Sequence, residues 1–194
     1  MNRLRPMRAA GFALQELLLA LAIALLLCAG MLQLVVQESR GSGRMARVLR
    51  ERLWQRRALD LVRDDLLRAD AVRLNGGLDS VCGLSGRRAV LQLANRQGVI
   101  TYSLGAPPSP IWRGQVLMRC GPAFGLDGEP SSGDFQNRVV LDGLSSGGFS
   151  AAADATGLLR VRLRQVFRPP AEPEQTLESE RALAAAPAEI PPGP

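Results

Sequence analysis

The stretch GFALQELLLALAIALLLCAGMLQLVV, residues 11–36, decides how the rest of the chain is read. From Leu17 it runs for twenty residues broken only by Gln33. Twenty helical residues, at about 1.5 Å each, match the roughly 30 Å hydrocarbon core of a bilayer. Ahead of the run stand Arg3, Arg5 and Arg8 with no acidic residue among them, whereas behind it Arg40 follows Glu38 and the further arginines belong to the next helical segment. Cationic residues on the leading side keep that end cytoplasmic, so everything after Val36 is expected outside the cytoplasm. Three readings fit: a secretory signal that is removed, a plain signal anchor, or a short leader followed by a retained anchor. A removed signal usually has an apolar core of about 7–15 residues ending in small residues such as A-x-A. This run is longer and lacks that ending.

Glu16 bears on the choice between the other two. A carboxylate in a membrane helix costs up to about 2.5–3.5 kcal/mol at mid-bilayer and less near an end. It is either retained for a function or sits at the headgroups, where a negative charge suits a helix N-terminus.

Composition narrows the function classes. The chain has 194 residues and 46% hydrophobic content, enough for one packed domain if spread evenly, but much of it is concentrated in the apolar run. The net charge of +6 comes from arginine alone, since there is no lysine, and there is no histidine. Without histidine the usual proton shuttle near neutral pH and the commonest metal ligand are missing. No enzyme activity, cofactor or metal is therefore expected. Asp64 and Asp65 are adjacent on a helix and point about 100° apart, so they do not make an acid pair. The cysteines Cys28, Cys82 and Cys120 form no CxxC motif. Cys28 lies in the apolar run, which leaves Cys82 and Cys120 as the candidate disulfide of an extracytoplasmic domain.

Beyond the anchor, apolar residues at Met45, Val48, Leu49, Leu53, Leu59, Val62, Leu66 and Val72 approximate helical spacing. An amphipathic helix over residues 44–73 continues the anchor, with a possible bend at Gly41 and Gly43 and a stop at Asn75-Gly76-Gly77. Its arginines could mark a nucleic-acid surface. The interspersed Glu51, Asp60, Asp64, Asp65 and Asp70 instead suit a solvated face with local ion pairs. Residues 89–95 and 99–104 read as a β-hairpin round Arg96-Gln97-Gly98, followed by strands over 116–120, 137–141 and 158–167, with Gly, Pro and Ser clusters as turns. In the last strand Leu159, Val161 and Leu163 alternate with Arg160, Arg162 and Arg164. That pattern predicts one face against a helix and one in water rather than an anion site. The Pro, Ala and Glu of residues 168–194 show no apolar period and predict a disordered tail.

The N-terminal motif resembles that of type IV prepilins, in which a glycine precedes a phenylalanine and a glutamate lies five positions into the mature chain. Gly11, Phe12, Leu14, Glu16 and Leu17 match, while Ala13 and Gln15 depart from the usual residues. The segments LLLCAGMLQLVVQESR and RALDLVRDDLLRADAV look like those of PilW-type minor pilins and of the J-type pseudopilins of type II secretion. The resemblance implies cleavage between Gly11 and Phe12 by a prepilin peptidase, N-methylation of Phe12, and a role for Glu16 in subunit assembly. It implies as partners other pilins or pseudopilins, the peptidase, an inner-membrane assembly platform and, before assembly, lipid.

The expected fold is α+β: a long N-terminal helix, membrane-spanning in its first half, packed on a C-terminal antiparallel sheet. Its expected parts are a leader (1–11), a membrane or filament-core helix (12–36), an extracytoplasmic helix and stop (37–77), a sheet domain (78–167) and a tail (168–194). The rival reading is a single-span membrane protein whose outer domain binds a ligand or DNA and enters no filament.

Overall fold

The computed structural model describes residues 14–76, 81–83, 86–168, 173–185 and 188–189. The chain divides into two compact units, Met1–Arg50 and Glu51–Pro194. Helix α1, Leu14–Leu67, contributes to both and is 54 residues long. The expected leader, with Gly11 and Phe12, lies outside the described residues.

In the first unit α1 is rich in Leu and Ala, strong helix formers, and contains no proline. It stays helical across Gly41 and Gly43. All its side chains from residue 14 to 38 are exposed, and from Leu17 to Val36 it is apolar on every side apart from Gln33. A helix apolar all round offers water no face and needs another apolar environment. Among the described residues this is the one helix long and apolar enough to cross a membrane.

The second unit holds the last part of α1 and eight strands: β1 Ala71–Leu74, β2 Arg88–Asn95, β3 Gly98–Gly105, β4 Gln115–Phe124, β5 Pro130–Ala153, β6 Leu158–Phe167, β7 Gln175–Ala185 and β8 Ala188–Glu189. They form one sheet in the order β7-β6-β5-β4-β3-β2-β1-β8. Neighbours are antiparallel except β1 and β8, which pair in parallel over two residues. The sheet is curled. Its outermost strands, β7 and β8, would stand about 33 Å apart across seven strand spacings of a flat sheet. Yet Ala185 and Ala188 are three residues apart in sequence, a reach of roughly 11 Å at most.

The concave side of the sheet holds the core. Ala58, Leu59, Val62 and Leu66 of α1 pack with Leu91, Leu93, Ile100, Tyr102, Leu117, Phe149, Val161 and Leu163 from the strands. Tyr102 and Phe149 are fully buried, with ring centroids 6.3 Å apart and tilted by 41°. Each large apolar side chain buried here contributes about 1.5–3 kcal/mol. The α+β class, the β2–β3 hairpin and the alternation of β6 are as the sequence predicts: Leu159, Val161 and Leu163 are buried and Arg160, Arg162 and Arg164 exposed.

Three expectations need correction. The helix expected to run from Arg44 to Arg73 ends at Leu67, and residues 71–74 form β1. On a longer helix Val72 would stand seven residues after buried Asp65, only about 20° round from it, so apolar spacing alone gives no stop at Leu67. Pairing with the edge of β2 buries Val72, and Asp70 N and Asn75 N donate to Ala94 O and Val90 O at 2.8 and 2.9 Å.

The Gly-Ser cluster after Leu144 is a bulge within β5 rather than a turn between strands. Residues 130–144 of β5 pair with β4, and residues 144–153 pair with β6. Gly147 takes a φ of 69°, and a Cβ on Gly148 would stand 2.4 Å from Arg164 O, so only glycines fit where the strand shifts register.

The region expected to be a disordered tail contains β7. Its residues 175–183 alternate half-buried and exposed, with Gln175, Leu177, Ser179, Arg181 and Leu183 on the inner side. Three of those five are polar, so the alternation is invisible to a search for apolar residues. The partners of Ser179 and Arg181, described below, make up for the missing hydrophobicity.

Candidate functional site

Glu16 lies in the first turn of α1, exposed among exposed apolar neighbours. Gly11 and Phe12 lie outside the described residues, so the expected processing site has no geometry here. Cys28 is a free, exposed thiol on the apolar helix. Cys82 and Cys120 form a disulfide with Cα atoms 6.0 Å apart, fastening the segment before β2 to β4. A membrane-capable helix and a disulfide-bonded β-domain agree with an extracytoplasmic position for that domain.

Two buried polar clusters fasten α1 to the strands. In the first, Asp65 takes hydrogen bonds from Tyr102 Oη on β3 at 2.5 Å and from Arg119 Nε on β4 at 2.6 Å, and Arg119 Nη2 reaches the other carboxylate oxygen at 2.9 Å. Arg119 Nη1 donates to Pro122 O at 2.8 Å. The Asp65 and Arg119 side chains are only 1% and 7% exposed. Burial pushes the Tyr102 phenol well above its ordinary pKa, and the Asp65 carboxylate pushes it further. Burial works against the Arg119 charge, but the hydrogen bonds and charge of Asp65 outweigh it and hold the guanidinium protonated.

In the second, Gln55 Nε2 donates to Gln165 Oε1 on β6 and to Leu177 O on β7, both at 3.2 Å. Ser179 Oγ donates back to Gln55 Oε1 at 2.6 Å. Gln165 Nε2 continues to Glu51 Oε2 at 2.9 Å and Asp142 O at 3.0 Å, and Arg113 bridges Glu51 and Asp142 at 3.0 Å each. Arg181 of β7 pairs with Asp60. The donors and acceptors of such a network fit in one register only, which fixes how α1 lies on the sheet.

Two of the exposed arginines of β6, Arg160 and Arg162, are occupied by β7. Arg162 meets Glu178 and Glu180 at 3.3 and 2.7 Å, and Arg160 meets Asp154 and Glu180 at 3.0 and 3.5 Å. Asp154 caps the β5–β6 turn. The Thr156 hydroxyl, followed by the Leu158 amide, the Arg160 guanidinium and the Thr156 amide, lowers its pKa from 3.8 to about 2. Because the folded value lies below the unfolded one, this stabilisation is present above 3.8 and is lost as pH falls through about 2. A carbon NMR titration of the Asp154 carboxyl in the full chain should give a midpoint near 2. A midpoint at the ordinary carboxylate value would show that the turn does not hold the charge.

Beside these anchors an open groove of about 240 Å³ runs between α1 and the β4–β5 hairpin. Its walls are mostly apolar, with Trp54 and Leu61 on the helix and Phe124 and Val140 on the strands. Trp54 and Phe124 remain 47% and 37% exposed. Among the described residues no cluster of three or more His, Cys, Asp or Glu is arranged to hold a metal ion.

None of the anchor residues stands out by sequence motif. The one local signal is that Gln55 and Asp65 lie on the buried stripe of Ala58, Leu59, Val62 and Leu66, where a polar residue must have a partner. Gln165 and Arg119 carry the same signal within their strands. The chain thus has a pilin-like architecture, a long N-terminal helix apolar in its first half and a C-terminal β-sheet unit built on the helix's last turns. No family model, no curated protein and no solved structure matches it.

Proposed function

We propose that this chain is a minor pilin or pseudopilin, a non-enzymatic subunit of a type IV pilus-like filament. A prepilin peptidase cuts it between Gly11 and Phe12 and methylates the new amino terminus. The subunit waits in the inner membrane with its β-domain outside the cytoplasm. An assembly platform then draws it into a filament of related subunits.

The observation that carries this reading is the character of α1. One unbroken helix presents an apolar, wholly exposed first part, and its last part is the buried backbone of a folded domain. Such an element suits transfer from lipid into a bundle of like helices, because packing against neighbours replaces lipid contact without unfolding the domain.

Glu16 is the residue that tests assembly. Cleavage before Phe12 creates a cationic amine near the buried end of the helix, and the carboxylate of an adjacent subunit would neutralise it. Glu16→Val is expected to be processed and membrane-inserted normally, since removing a carboxylate eases insertion, but to be missing from sheared filaments. N-terminal sequencing of mature protein should start at Phe12. Normal incorporation of Glu16→Val would remove Glu16 from the mechanism. Absence of the wild-type chain from filaments would return it to the class of plain membrane-anchored domains.

A further inference from the structure

We propose that the groove between α1 and the β4–β5 hairpin is a docking site for an acidic amphipathic helix of another protein. The inference stands on the groove itself and holds whether or not the chain enters a filament.

Shape and size come first. At about 240 Å³ the groove exceeds the roughly 150 Å³ apolar cavity that takes a benzene ring, so it has room for a leucine or phenylalanine side chain. On the helix side Trp54, Ala58 and Leu61 line it at i, i+4 and i+7. Ala58 is itself buried in the core, while exposed Trp54 and half-buried Leu61 leave an apolar edge of the kind a second helix covers with its own apolar residues.

Charge then selects the occupant. The charged side chains lining the groove are Arg57, Arg119 and Arg138, and no carboxylate lines it. Arg119 is already neutralised by Asp65. Arg57 stacks on Trp54 with its guanidinium 5.1 Å from the ring centre, and Arg138 donates to the uncharged Gln136. Neither is in an ion pair among the described residues. An incoming apolar side chain therefore meets two uncompensated guanidiniums at the rim, which favour a segment bearing glutamates or aspartates beside its apolar residues. A second copy of α1 fits poorly. Its exposed arginines near the groove, Arg52, Arg56 and Arg57, would be set against Arg57 and Arg138. Bases and phosphates would match the rim but not the apolar walls.

The test uses the full-length chain in phosphatidylcholine nanodiscs, which avoid detergent filling the groove. Of its two tryptophans, Trp112 is replaced by Phe so that emission reports Trp54 alone. The probes are a tryptophan-free helical peptide carrying a Leu-x-x-x-Leu pair flanked by glutamates, and the same peptide with every glutamate replaced by lysine. The glutamate peptide should shift Trp54 emission saturably, and the lysine peptide should bind at least about tenfold more weakly. Arg57→Glu should reverse the preference, and Leu61→Asp should abolish binding of both, with circular dichroism unchanged in each variant. Equal binding of the two peptides, or no saturable shift with either, would overturn the proposal. So would a Trp54 shift that follows protein concentration without peptide, which would assign the groove to a second copy. Binding that appears only after residues 190–194 are deleted would assign it to the chain's own terminus.

Discussion

Asp65→Ala is expected to cost the β-domain about 3–5 kcal/mol, the usual penalty for breaking a buried ion pair from one side. The substitution leaves the Arg119 guanidinium, 7% exposed, with only Pro122 O as a hydrogen-bond acceptor, and frees the Tyr102 hydroxyl in a fully buried position. Removing the charge at both ends separates this penalty from simple loss of contact. Asp65→Ala with Arg119→Met should recover much of the stability, because an apolar pair of similar volume carries no desolvation cost. Tyr102→Phe alone should cost about 1 kcal/mol, since Asp65 keeps both contacts to Arg119. Urea unfolding of the full chain in micelles, followed by near-ultraviolet circular dichroism, measures all three variants against the wild type. A loss below about 1 kcal/mol for Asp65→Ala would show that apolar packing alone seats the helix.

Loss of the Cys82–Cys120 bond is expected to have the next largest effect. The bond closes a loop of 38-residue separation, for which the loop-entropy relation gives roughly 3–4 kcal/mol. For a chain of this size that corresponds to a fall in Tm of about 6–15 °C. Cys82→Ser and Cys120→Ser should each give the whole loss, and the double variant no more, because both remove one cross-link. Cys28→Ala should leave the β-domain unchanged, since Cys28 belongs to the other compact unit. Thermal melts of the oxidised and reduced wild-type chain check the same figure. Equal melting temperatures would mean that the segment before β2 contributes nothing to the cooperative fold. The effect also gives the protein a reason to fold only where thiols are oxidised.

The sequence by itself determined the elements whose signal is local. An apolar run of twenty residues matches the hydrocarbon core of a bilayer in length, and nothing in it stops the helix before the β-domain begins. Arg96-Gln97-Gly98 between two alternating runs makes a hairpin, and strict alternation in β6 says which side chains face the core. The tertiary structure decided whatever depends on a distant partner. The helix ends at Leu67 because the edge of β2 offers Val72 a buried place as a strand, and nothing near Val72 records that edge. The strand β7 exists because its glutamates meet the arginines of β6 and its Ser179 and Arg181 meet Gln55 and Asp60 on the helix, 124 and 121 residues away. Asp65 reads as an ordinary solvated acid until Tyr102 and Arg119, 37 and 54 residues further on, are folded against it. A polar side chain carries at most one mark of its future burial, its place on an apolar stripe, and no mark of the partner it will meet. The cost of burying it is met only by groups that folding brings near, which is why the apolar pattern could be read in advance and the polar anchors could not.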